Sequence, residues 1–532
     1  MQSIYESVRT LRPRRSAFNL SHTWLGSMDM GQLVPFLFKE AIPGDIWKIG
    51  LECVARTLPQ VVPVLHEFSV YAHYFFVPTR LLWTDWEEFI TGGVAGTDAH
   101  SLPTWIPTHG DVVNGNGLTV KDNGVGSLWD YFGLPVTDAG IIPAGAYPLA
   151  FPRRAYNLVF NQYYRDQQQT AEISLDGVAV KNRTWEKDYL TSALPWQQRG
   201  VAPALPISIG GSTNAVWPAD FWAGPVSPDS GTHKFIGQTT SPFNVISPAS
   251  NPGTGDYAAK VAKTQLDNNT IAGSAFTATG IDVPGLRLAF QIQKWMERNA
   301  RGGVRYIEFL QNHFGVAPKD ERLQRAEYIG GTRLPIIVSE VLQTSATGTS
   351  PQGNMAGHGL GVGRDSCVNY HVQEHGYIIG IVSVMPRAAY SQGIDRELLR
   401  QTRYDFYSPE FAHLSEQAIT LAEVWATNSA GTGAGQNGRV FGYQGRHNEL
   451  RSAQSKTVGL MRYGVAGHFG YWHMARNFGS EPVLNEAFIT CIPRKDWLAA
   501  PSQPAMIMHL ANVIKAVRPM PIEAEPGLID HA

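Results

Sequence analysis

The chain is poor in charge, in cysteine and in long apolar runs, and each shortage excludes a class of protein. Asp, Glu, Lys and Arg make up 17% of its 532 residues, against ~25% in ordinary soluble domains. Much of the surface must therefore be neutral or covered by partners. The 43 basic and 45 acidic side chains leave a net charge of −2, so overall charge makes no polyanion binder of it. Cys53, Cys367 and Cys491 lie far apart and form no C-x-x-C. That spacing argues against a disulfide framework and a zinc knuckle, and it suits a reducing compartment. The first fifteen residues hold no apolar signal core. The longest strongly apolar run, residues 377–385, is too short for a bilayer. A soluble intracellular chain without membrane insertion is expected.

What is present points to β-structure. Hydrophobic residues reach 43% and aromatics 11%, with 53 Gly and 34 Pro. A large core can form, and turns should outnumber long helices. Trp47, Ile49, Leu51 and Cys53 alternate with Lys48, Gly50 and Glu52, the period of a half-buried strand. Phe68, Val70, Ala72, Tyr74 and Phe76 repeat that pattern against Glu67, Ser69 and His73. Residues 377–385 (YIIGIVSVM) are apolar on both faces, as in a strand covered on both sides, and 505–517 resemble another such strand. Helices are few. Thr84 and Glu87 form a capping box, with Leu82, Trp86, Phe89 and Ile90 on one face and Gly92-Gly93 as the stop. Residues 153–166 and 285–299 follow the helical period, the latter expected to bury Leu286, Ala289, Phe290, Ile292 and Met296.

Two segments stand apart. Arg9, Arg12, Arg14 and Arg15 fall within seven residues beside Pro13, which reads as an extended arm able to lie on phosphates or equally as an ordinary solvated terminus. Residues 207–281 contain neither Arg nor Glu, but Trp217, Phe221, Trp222, Phe235 and Phe243 punctuate them. A loop this long is functional or disordered, and the aromatics favour a recognition excursion with its own small packed tip.

The motifs of chemistry lack their settings. His371, Glu374 and His375 match H-x-x-E-H, yet zinc needs both imidazoles one helical turn apart, and a strand begins at Gly376. Gly433, Gly435 and Gly438 match G-x-G-x-x-G, but a strand-like run follows where a dinucleotide site needs a helix. The glycines of 357–363 lack the lysine of a phosphate loop. His468 and His473 have no carboxylate or thiolate beside them and read as aromatic packing. No catalytic residue, cofactor or metal site is expected.

Ordered matches then cover most of the chain. Residues 15–21 (RSAFNLS), 30–35 (MGQLVP), 40–45 (EAIPGD), 73–83 (HYFFVPTRLLW), 154–167 (RAYNLVFNQYYRDQ) and 188–196 (DYLTSALPW) come first. Residues 289–303, 313–316, 322–325 and 339–345 continue the series. Together these resemble gokushovirus-type major capsid proteins of microviruses, small single-stranded-DNA bacteriophages; 207–281 match nothing recognised. The resemblance implies a mainly β fold, an eight-stranded antiparallel viral jelly roll with long loop insertions and a few short helices. It implies pentamers in a T=1 icosahedral shell around circular single-stranded DNA. Partners would be copies of itself, other virion proteins (an internal or pilot protein) and a host surface receptor, in the virion and, before that, in the bacterial cytoplasm. The expected organisation is an inward basic arm (1–30), jelly-roll strands (31–206), a host-attachment protrusion (207–281) and the remaining strands (282–532). The alternative from residues alone is a β-rich carbohydrate-binding or glycoside-hydrolysing protein, suggested by 14 Trp.

Overall fold

The computed structural model describes residues 14–91, 100–136, 147–200, 209–210, 277–278, 283–301, 324–342, 355–426 and 437–523. The chain divides into two compact units, Met1–Arg199 with Glu297–Ala532, and Gly200–Met296. Among the described residues the fold is mainly β, with antiparallel sheets and short helices.

The strands are β1 (Ser16–Asn19), β2 (His22–Met28), β3 (Val34–Ala41), β4 (Ile46–Thr57), β5 (Phe68–Pro78), β6 (Asp111–Val113), β7 (Thr119–Lys121), β8 (Ile209–Gly210) and β9 (Thr277–Ala278). They continue with β10 (Glu327–Pro335), β11 (Ile337–Leu342), β12 (Met355–His371), β13 (Gly376–Pro386), β14 (Glu416–Thr420), β15 (Val440–Gly445) and β16 (Met506–Arg518). One large sheet runs β1-β16-β4-β12-β11, with β2 also on β16; a second runs β10-β5-β13-β3. All these pairings are antiparallel.

Period-two burial explains how they pack. Trp47, Ile49, Leu51 and Cys53 of β4 and Met506, Met508, Leu510 and Ile514 of β16 share a core with Val70, Ala72, Tyr74 and Phe76 of β5 and Ile378, Val382 and Val384 of β13. This core joins the inner faces of the two sheets. The opposite face of the second sheet, through Phe75, Val77, Ile379 and Ile381, is covered by Trp105, Trp129, Phe151, Tyr156 and Phe160. Burial on both faces is the reason 377–385 are apolar throughout.

Several expectations need correction. β16 is buried on one face only: Ile507 and Val513 point to solvent, because among the described residues nothing covers the outer face of the first sheet as the 151–164 segment covers the second. Leu82 belongs to a separate turn of helix, Thr79–Leu82. The next helix, Trp86–Thr91, buries no side chain, and the Thr84 hydroxyl bonds Asp85 at 3.1 Å. The helix expected over 153–166 runs Phe151–Val159 and widens into a π-turn, Phe160–Tyr164. The later helix forms as Val283–Arg301, but Phe290 is 64% exposed and Ile292 also faces solvent. Periodicity sets a helix, while burial also requires a partner surface.

Candidate functional site

Three of the four sequence motifs resolve into structural roles, while Gly433 and Gly435 of the fourth lie outside the described residues. His371 ends β12, and 372–375 form the link into β13. Arg80 holds Glu374 by two bonds, Nε to Oε2 at 2.9 Å and Nη2 to Oε1 at 3.2 Å. The His375 ring lies edge-on to Trp86 at 5.7 Å. Gly357, Gly359, Gly361 and Gly363 line one face of β12, where an added Cβ would meet Pro63, Thr57, Ile336 and Leu334 within 2.4–3.0 Å. They are a close-packing stripe. His468 accepts from the Gly470 amide at 3.1 Å, and His473 accepts from the Ala475 amide at 3.0 Å. Among the described residues no three His, Cys, Asp or Glu converge as a metal site would require.

One cavity of about 800 Å³ opens between β5, β10 and the 163–194 segment. Its wall is aromatic: His73, Phe75, Tyr163, Tyr164 and Tyr328. His73 Nδ1 and the Tyr164 hydroxyl share a 2.8 Å hydrogen bond. Burial, then Arg183, pushes His73 down to about 4, and burial pushes the Tyr164 hydroxyl up. Both are uncharged at neutral pH. The cations at the rim already have partners. Arg165 Nη1 donates to the Thr170 carbonyl at 3.0 Å, Lys187 pairs with Asp166, and Arg183 lies 4.6 Å over the Tyr71 ring.

Of the basic arm, Arg14 and Arg15 lie directly before β1; Arg9 and Arg12 fall outside the described residues. β1 seals onto β16 with Ser16 opposite Arg518. Arg15 and Arg518 both act on the carboxyl of Asp45, whose pKa is nevertheless raised, burial outweighing the Ile42 amide, the two arginines and the Trp47 indole. Trp47 Nε1 donates to Asp45 Oδ2 at 3.1 Å, and the Arg518 guanidinium lies 5.0 Å over the Trp47 ring. Sequence reasoning missed this latch; its signal was Asp45 closing the 40–45 turn. Trp217, Phe221, Trp222, Phe235 and Phe243 all lie outside the described residues.

The outer face of the first sheet mixes charged side chains, Lys48, Glu52, Arg56, Arg364 and Lys515, with one uncharged row. Leu25, His509, Val54 and Val362 line up across β2, β16, β4 and β12, with Leu25 73% and Val362 67% exposed. Glu52 and Arg364, on neighbouring strands, pair at 3.2 Å.

Comparison with known proteins follows this geometry. Residues 6–528 match the family described as capsid protein (F protein). The capsid protein VP1 of Chlamydia phage 1 is 32% identical, over 99% of this chain and 98% of that protein. The capsid protein VP1 of Bdellovibrio phage phiMH2K is 32% identical, over 98% and 96%. That of Spiroplasma virus 4 is 29% identical, over 97% and 95%.

Proposed function

The chain belongs to the phage capsid protein (F protein) family, and from that premise we propose that its copies close into a T=1 icosahedral shell of pentamers around a circular single-stranded DNA genome. It is a structural capsid protein of the microvirus type, not an enzyme. The observation that carries the reading is the match to capsid proteins, which spans residues 6–528 and 99% of the chain.

The strand orders support an eight-stranded jelly roll. β2, β16, β4 and β12 lie in one sheet, which β1 and β11 extend, and β3, β13, β5 and β10 form the other. Along the chain, successive members alternate between sheets except at β5 to β10, the interval that contains 207–281. That interval suits a protrusion, and Trp217, Phe221, Trp222, Phe235 and Phe243 would give it a recognition surface for a host receptor. The arm bearing Arg9, Arg12, Arg14 and Arg15 faces inward and neutralises phosphate. Other virion proteins occupy the same particle, assembled in the host cytoplasm before release.

The test is to purify particles, digest outside nucleic acid and reconstruct them by electron microscopy. Fivefold-symmetric shells holding nuclease-resistant circular single-stranded DNA are expected. Empty, helical or asymmetric assemblies would overturn the proposal.

A further inference from the structure

The segment after β13 carries apolar side chains that the subunit leaves uncovered. Tyr404, Phe406 and Tyr407 are 52%, 55% and 54% exposed, and Leu398, Leu414 and Leu450 also face solvent. They sit on or beside single turns of 3-10 helix, Arg396–Leu398, Arg403–Asp405, Pro409–His413 and Asn448–Leu450. Isolated turns of this kind normally move, yet these are pinned. Thr402 donates its amide and hydroxyl to Asp405 Oδ2 at 2.8 and 2.9 Å. Arg446 Nη2 donates to the Tyr404 carbonyl at 2.8 Å. Arg396 Nη1 donates to the Ala418 carbonyl and to buried Glu423, tying the first turn to the body of its unit.

The rings are ordered by cations. Arg403 lies 4.8 Å over Tyr404, Arg400 lies 5.1 Å over Phe406, and Tyr407 meets the buried His447 ring edge-on at 5.4 Å. Beneath them Arg400 and His447 approach one carboxylate, Glu449, at 3.8 and 3.5 Å. Arg400 Nε and Nη2 and Arg446 Nε find no acceptor. Aromatic rings and arginines held in advance are the composition of an interface centre, and pre-ordering removes much of the entropy lost on docking.

Area and charge select the occupant. Three half-exposed rings, at ~150–250 Å² per buried aromatic, and three leucines leave apolar surface on the order of 600 Å². A lone subunit rarely leaves more than that in one patch, and a standard interface takes ~800 Å² from each partner. We propose that Tyr404, Phe406 and Tyr407 form one side of the contact between neighbouring copies of this chain, engaged head to tail. A face-to-face pairing of the patch with itself would bring the arginine-rich centres of two copies together. A head-to-tail contact instead meets a different, acceptor-bearing surface of the next copy, and such contacts close into rings. This inference rests on the capsid reading and assigns a surface to it.

The experiment compares the wild-type chain with a Tyr404→Ser, Phe406→Ser, Tyr407→Ser triple variant by sedimentation velocity, with thermal melting of dissociated subunits as the folding control. The variant should melt within a few degrees of wild type while its assembled fraction falls at least tenfold. Hydrogen exchange of wild type gives a second readout that needs no variant: amides of 402–408 should slow at least tenfold in particles relative to subunits. Unimpaired assembly by a folded triple variant, equal exchange in both states, or wild-type association that stops at dimers would each overturn the inference. Failure of wild type to assemble at all would instead sink the capsid reading itself.

Discussion

Gly31 shows how much one residue can carry. Its φ of +84° is a conformation that L side chains avoid, and a Cβ there would lie 2.1 Å from the Cys491 carbonyl oxygen. Gly31→Ala combines left-handed strain with a backbone clash and should lower unfolding free energy by roughly 2–5 kcal/mol. Denaturant titration of dissociated subunits measures it, and a loss below about 1 kcal/mol would mean that the turn relaxes. His73 makes a pH prediction. Its folded-state value of about 4 lies below the ordinary 6.5, so the unfolded chain takes up the proton first as pH falls. The effect on stability is absent above pH 6.5 and grows as pH drops toward 4, reaching on the order of 2–3 kcal/mol. His73→Gln should flatten that part of the stability curve; an unchanged slope would refute the assignment. Some residues were legible before any coordinates, such as the alternating Trp47, Ile49, Leu51 and Cys53. The glycines of 357–363 were not, because their purpose lies in Pro63, Thr57, Ile336 and Leu334, residues distant in sequence.

Elements divide by where their stability comes from. Strands buried on one or both faces announced themselves through period two, as β4 and β5 did, or through an unbroken apolar run, as β13 did. The helix Val283–Arg301 was legible as a helix but not in its burial, since Phe290 and Ile292 need a surface that periodicity cannot specify. β16 failed in the opposite sense: its apolar outer residues suggested a cover that the described residues do not give the first sheet. The basic arm and the insertion belong to this scale as well. Replacing Arg9, Arg12, Arg14 and Arg15 together by Ala should leave assembly intact but lower packaged DNA per particle. Equal DNA content would refute the arm's role, although loss of the Arg15–Asp45 attraction predicts a modest drop in subunit melting temperature either way. Deleting residues 212–278 should spare folding and shells while abolishing host attachment. Loss of soluble protein would make the segment a structural one.

For the whole molecule, the decisive property is a surface made to be covered. A charge fraction of 17% and a pinned aromatic patch are hard to explain in an isolated subunit. They follow if neighbouring copies remove that surface from water, since extensive permanent interfaces are more apolar than ordinary protein surface. Closure then comes from symmetry: contacts that turn by a fixed angle end in a ring or shell, and contacts that do not close run on as filaments. Negative-stain electron microscopy of the purified wild-type chain tests this most directly. Closed particles of a single diameter are the predicted result, and a field of dispersed single subunits at high protein concentration would contradict it.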